Sequence, residues 1–192
     1  FWIRKGDDCV VELKSMNALQ LNFPLKIGGI EVCEVQTSLI TVGIGKKIPK
    51  PLAREIKSVS GMEVPAVGEI KWLDNIFLMW FDHAHIALMG CLPSLKLEAI
   101  GAVTDVSDGW FIVDVNGPQV REVLARLTPL DMRESSFTIG MTQRSDLMHM
   151  QTSISCIEPN RFRVMVFRSM AQTFIGEITE AIESVTARAR EV

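Results

Sequence analysis

The 192-residue sequence has no apolar run long enough to cross a membrane. Its longest run, Ile76 to Phe81, ends after six residues at Asp82. A spanning helix takes about 20. The opening Phe1-Trp-Ile-Arg-Lys-Gly-Asp-Asp8 contains no apolar core of the signal-peptide kind, so no membrane contact and a soluble, cytoplasmic protein are expected. An excess of basic charge is also missing. Lysine and arginine total 20 against 23 aspartates and glutamates, for a net charge of −3, and the two signs are interspersed. That pattern provides no electrostatic footprint for nucleic acid. Cysteine is sparse: Cys9, Cys33, Cys91 and Cys156 are scattered, with no C-x-x-C spacing and no neighbouring histidine. A disulfide scaffold would be shorter and denser in cysteine, and a structural metal site would cluster its ligands. Free, mostly buried thiols are expected. Phosphate-loop and dinucleotide fingerprints are absent as well, since Gly43-Ile-Gly45 lacks the later glycine of G-x-G-x-x-G and no G-x-x-x-x-G-K-S/T occurs.

What is present is apolar material for a core. Hydrophobic residues make up 47% of the chain, with a mean hydropathy of +0.21. A chain of this size folds as one domain or two tightly joined halves without a metal or disulfide. The surplus of apolar residues over what that core needs points to a partner surface.

Glu31 to Ile44 is β-branched and partly alternating, as in a strand. Pro49 to Gly61 follows with prolines at a helix start, Leu52, Ile56 and Val59 on one face, and a glycine stop. Glu69 to Trp72 and Ile76 to Phe81 flank a tight reversal at Leu73-Asp-Asn75, Ile86 to Met89 is a further short strand, and Leu92 to Ile100 reads as a helix with Pro93 near its first turn. Ala102 to Val106 and Trp110 to Val115 read as a hairpin across Ser107-Asp-Gly109. A turn at Asn116-Gly-Pro118 leads into a helix with Val120, Val123, Leu124 and Leu127 on one face. Strands are expected at Phe137 to Met141, Leu147 to Ile157 and Arg161 to Phe167, and Ser169 caps a final helix carrying Phe174, Ile178, Ile182 and Val185.

The order repeats. Leu39 to Ile44 with its helix and Val64 to Ile70 parallels Trp110 to Val115 with its helix and Phe137 to Met141, at offsets of 71 from Val42 to Val113 and 72 from Gly68 to Gly140. The expected class is therefore α+β, built from two similar β-α-β-β-α halves of split-βαβ, ferredoxin-like character. The halves are placed at 31–101 and 102–192, after an N-terminal extension at 1–30.

Candidate chemistry is thin. His83 and His85 in Asp82-His-Ala-His alternate as strand ligands would, yet Asp82 is the only third ligand nearby and a polar turn between two strands is the preferred account of them. His149 falls within an expected strand, on the face opposite Met148 and Met150. Asp105 and Asp108 resemble paired carboxylates but suit the turn they occupy. The helix after Asn116-Gly-Pro118 presents an N-terminus of the kind that can attract an anion, although most such termini bind only water. Arg168 stands at the start of the final helix, where its charge opposes the helix dipole, and a carboxylate or a subunit contact beside it is expected. Arg168, Ser169 and Trp2 are the candidate interface residues. No catalytic, cofactor-binding or metal-ligating residue is assigned.

Several segments carry a resemblance. Asp105-Val-Ser-Asp-Gly-Trp110, Val115-Asn-Gly-Pro118, Val123-Leu-Ala-Arg-Leu-Thr-Pro-Leu-Asp131, Phe137-Thr-Ile-Gly140 and Val166-Phe-Arg-Ser-Met-Ala171, in that order, resemble the gamma-subunit family of heterotetrameric sarcosine oxidase. The match is specific from about Leu97 to Arg188 and looser from Leu25-Lys-Ile-Gly-Gly29 to Gly68. The resemblance implies a fold similar to the folate-binding domain of the glycine-cleavage aminomethyltransferase. It also implies alpha, beta and delta partners that hold FAD, FMN, NAD, zinc and tetrahydrofolate, with no cofactor on this chain. The function it implies is a non-catalytic subunit of a complex that oxidises sarcosine or a related N-methyl amino acid and passes the one-carbon unit to tetrahydrofolate. Relatives tend to carry a Trp-x-Gly-Pro-x-x-Trp-like hairpin where this chain has Trp80-Phe-Asp-His-Ala-His-Ile86, which leaves the amine open, N-methylglutamate being one alternative. A stand-alone tetrahydrofolate-binding or aminomethyltransferase-like protein is the rival reading.

Overall fold

The computed structural model describes residues 16, 18–45 and 47–190. Eleven strands among these form two antiparallel sheets. The first sheet has six strands, β1 (Leu25–Ile27), β2 (Ile30–Glu34), β8 (Trp110–Asn116), β11 (Arg161–Phe167), β10 (Met150–Glu158) and β9 (Thr142–Leu147), adjacent in that order. The second has five, β4 (Ile70–Leu73), β5 (Ile76–Trp80), β6 (His85–Met89), β3 (Leu39–Gly43) and β7 (Ala102–Asp105). Helices α1 (Lys50–Ser60) and α2 (Leu95–Ile100) pack on the second sheet, and α3 (Val120–Leu127) and α4 (Ala171–Arg190) on the first.

The strand sequences explain the layering. β8, Trp-Phe-Ile-Val-Asp-Val-Asn, sends Phe111, Val113 and Val115 toward Val123, Leu124, Phe174 and Ile178 of the helices. Its opposite face sends Trp110 and Ile112 against Leu39, Met79, Ala87 and Met89 of the second sheet. Period-two alternation thus gives each sheet one face for its helices and one for the other sheet, and four layers result: helices, sheet, sheet, helices. Local signals hold the helices. Gly61, at φ 75, closes α1 by donating its N–H to Lys57 O at 2.8 Å, and the Ser94 hydroxyl accepts the Leu97 N–H at the start of α2.

The chain traverses the same pattern twice: β3-α1-β4-β5-β6-α2, then β8-α3-β9-β10-β11-α4. Within each unit the strands lie in the order second, third, fourth, first. Val42 and Val113 occupy the two first strands. Gly68 and Gly140 lie just before the two second strands and meet across the molecule: Ile70 N donates to Gly140 O and Thr142 N to Gly68 O, both at 2.8 Å. The strand preceding each unit is exchanged, since β2 pairs with β8 and β7 with β3.

Several expectations are corrected here. Each unit has one strand more than the β-α-β-β-α pattern, so two strands lie between its first and second strands, which run antiparallel, unlike a split βαβ unit. The boundary at 101–102 does not separate the sheets, because β7 belongs to the sheet of the preceding residues. The N-terminal extension 1–30 includes β1 and the buried Leu19 of the first core. Glu31 to Ile44 is two strands, one in each sheet. Ala102 to Val106 and Trp110 to Val115 are not a hairpin, because Ser107, bonded to both the N–H and the carbonyl of Leu39, redirects the chain from one sheet to the other. Phe137 to Met141 forms only an isolated bridge at Met141, and Leu147 to Ile157 is broken by a turn at Met148-His149.

Candidate functional site

The inner face of the first sheet has polar cross-strand rows. Lys26, Glu31, Asn116, Arg161 and Glu158 are successive neighbours across β1, β2, β8, β11 and β10. The next row runs Cys33, Asp114, Arg163, Ser155, Thr142. The one after that runs Ile112, Met165, Ser153, Arg144, and there the second sheet covers the face with Leu39, Met79 and Met89. Apolar side chains therefore fill the middle of the inter-sheet space, and charge is concentrated at one end.

Asp114 is the centre of that charged end. Its side chain is 5% exposed and faces Arg163, 4% exposed. Arg163 Nε donates to Asp114 Oδ1 at 2.8 Å and its Nη2 to Oδ2 at 3.0 Å, a two-point fork. Arg161 donates to the same Oδ2 from Nη2 at 2.6 Å and Nε at 3.2 Å. Its Nη1 reaches Glu158 Oε1 at 3.1 Å. The Arg163 guanidinium also lies 4.0 Å from the Phe77 ring centre, and Phe77 stacks on Trp72. Beside this group opens a cleft of about 520 Å³, walled by Cys33, Asn116, Pro118, Glu158, Asn160 and Arg161. Burial pushes the Asp114 carboxyl up, but the hydrogen bonds and charges of Arg163 and Arg161 outweigh it and hold the group below its ordinary value. Burial raises the Cys33 thiol, and the charges of Glu31 and Asp114 raise it further. An ionised, fully paired carboxylate is a poor proton acceptor, and a thiol held protonated is a poor nucleophile. The arrangement is suited to recognition, not to proton or acyl transfer.

Residues singled out in the sequence lie elsewhere. Asp82 Oδ1 accepts the main-chain N–H groups of Ala84 and His85 and contacts His85 Nδ1 at 2.9 Å. The Asp-His-Ala-His stretch is thus a self-bonded turn, and no group of three metal-ligating residues occurs among the described residues. His149 is exposed on the β9–β10 turn, which corrects its strand placement. Asp105 accepts from the hydroxyl and the N–H of Ser107, as a turn residue does. Arg168 donates from Nη2 to the carbonyl of Met16. A carboxylate or a subunit contact was expected beside it; the acceptor is a main-chain carbonyl, and Glu34 and Asp108 line the same groove. Ser169 is exposed, and Trp2 lies outside the described residues. Sequence reasoning missed Asp114, Arg161 and Arg163. Their signals were an aspartate interrupting the apolar strand Phe111 to Val115 and two arginines at alternate positions in Arg161-Phe-Arg163.

A family model described as sarcosine oxidase, gamma subunit family, matches residues 74–183, more than half of the chain. The chain belongs to that family. No curated protein matches the chain. Among solved structures it is similar to a chain of the heterotetrameric sarcosine oxidase from Corynebacterium sp. U-96, determined in complex with pyrrole 2-carboxylate. That likeness has a TM-score of 0.71 at 16% identity, over 82% of this chain and 85% of that one. At this identity it shows a shared fold: α+β, with two antiparallel sheets.

Proposed function

We propose that the chain is the non-catalytic gamma subunit of a heterotetrameric sarcosine oxidase-type complex, with alpha, beta and delta chains as partners. The observation that carries this reading is the family match over residues 74–183; the fold shared with a chain of a heterotetrameric sarcosine oxidase supports it. In this reading the partners hold FAD, FMN, NAD and tetrahydrofolate. The complex oxidises sarcosine or a related N-methyl amino acid and passes the one-carbon unit to tetrahydrofolate in the cytoplasm. No helix among the described residues is long and apolar enough to cross a membrane. The gamma chain contributes a scaffold similar to the aminomethyltransferase folate-binding domain, with an Asp114–Arg163 pair too well satisfied to act as acid or base. The test is co-expression with the partner chains. A stable four-chain assembly that oxidises sarcosine or another N-methyl amino acid, beside an isolated gamma chain that does not, is expected. An isolated chain that binds tetrahydrofolate one-to-one, or that turns over sarcosine, would refute the reading in favour of a stand-alone protein.

A further inference from the structure

The charges beside the cleft do not balance without Glu158. Asp114 carries one negative charge, Arg161 and Arg163 one positive charge each, and all three are linked by hydrogen bonds. The remaining positive charge is met by Glu158, whose side chain is 59% exposed at the end of β10, beside the Glu158-Pro159-Asn160 turn. The two anions differ in how firmly they are held. Asp114 is buried and bonded to two guanidinium groups, whereas Glu158 makes one 3.1 Å contact at the surface. A surface ion pair of that kind contributes little and exchanges readily.

Arg161 is built like a receptor. Its Nε and Nη2 are fixed on Asp114, so the guanidinium is held in place without help from the cleft. Its other terminal nitrogen, Nη1, is held only by Glu158, and both residues line the cleft. A planar fork already anchored along one edge loses little freedom when it takes a carboxylate on the other. Around it the cleft offers Asn116 and Asn160 as polar walls, with Pro118 and Cys33 as less polar surface.

We infer that this cleft is a binding site for a small carboxylate-bearing molecule, a simple organic acid or an amino acid, whose carboxylate displaces Glu158 from Arg161. Every residue that lines the site belongs to this chain, and the test reads ligand binding, not assembly, so its failure and the failure of the subunit reading are separate results.

The probes are acetate and glycine, titrated into the full-length isolated chain at constant ionic strength against sodium chloride and followed by amide shifts of Asn116, Gly117 and Asn160. Saturable shifts with one or both probes are expected. Glycine binding tighter than acetate places the ligand among amino acids, and equal binding places it among simple acids. Glu158→Gln removes the competing anion and tightens acetate binding about two- to five-fold. Arg161→Gln abolishes it, while Asp114 keeps both bonds to Arg163 and the fold persists, as a melting curve checks. If that variant melts early, Arg161→Lys, which keeps the charge without the fork, takes its place and weakens binding. Absence of saturable binding in both wild type and Glu158→Gln overturns the proposal. So does binding that survives the Arg161 substitutions unchanged, or binding that Glu158→Gln fails to tighten.

Discussion

Asp114 and Arg163 show how a charge is kept inside a β-sandwich. Each is nearly inaccessible, and each is the other's partner through two hydrogen bonds. Taking both from water is costly, and the fork between them and the further bonds from Arg161 offset that cost. Removing one partner leaves the other charge buried, so Asp114→Asn is expected to lower stability by about 3 kcal/mol, read as a shift in the denaturant midpoint. The acid response follows from the same pair. The folded Asp114 carboxyl lies below its ordinary value of 3.8. Its contribution is therefore complete above about pH 5 and is lost as the pH falls through the unfolded and then the folded value. Wild type should lose melting temperature more steeply than Asp114→Asn below pH 4, and equal slopes would show that the pair carries no linked stability. None of this pairing was legible in the sequence. An aspartate in an apolar strand signals that a partner exists, but nothing local says that the partner sits 49 residues away on β11. Arg121 is a similar case. It lies outside the apolar face of α3, yet it donates to the carbonyls of Met132, Phe137 and Pro159 and ties the loop after α3 to the β10–β11 turn.

Helices α1, α3 and α4 were readable because each buries a stripe that recurs at helical spacing, Val120, Val123, Leu124 and Leu127 on α3 for example. The strands were harder, and for particular reasons. β9, Thr-Gln-Arg-Ser-Asp-Leu, turns polar residues toward the inter-sheet layer, where Thr142 meets Ser155 at 2.7 Å and Arg144 lies over Phe81 and Trp110. It therefore lacks the apolar alternation that marks a strand. β2 and β3 run together because no glycine, proline, asparagine or aspartate separates Glu34 from Leu39, although the chain changes sheets there. The Asn116-Gly-Pro118 turn was legible, and the structure shows why it needs glycine. Gly117 has φ 145, and a Cβ there would stand 2.6 Å from the Gly29 carbonyl oxygen in the β1–β2 turn. Gly117→Ala is expected to cost about 2 kcal/mol through strain and the forced separation of these two turns. An unchanged melting temperature would mean that the turns part freely.

The exchange of β2 and β7 makes the two units one folding body. Each sheet is completed by a strand from outside its own unit, and Gly68 and Gly140 join the units at the pseudo-symmetric contact. A cut at 101–102 leaves β3 without β7 and β8 without β2, exposing the edges of both sheets. Segments 31–101 and 102–192 expressed separately should each lack the dispersed amide spectrum of a folded domain, while the intact chain should unfold in a single calorimetric transition. A folded isolated half would contradict this. At the same scale, the likeness of the halves was legible as offsets of 71 and 72 residues, whereas the strand exchange was not, since it depends on which sheet each edge strand joins. At the scale of the complex, the chain is proposed to work as a subunit of a sarcosine oxidase-type assembly. Native mass spectrometry of the tagged chain purified from its host tests it most directly. One copy of this chain with three different partner chains is expected, with flavin that leaves with the partners when the complex is dissociated. A chain that emerges alone, or one that retains stoichiometric flavin after separation, would contradict it.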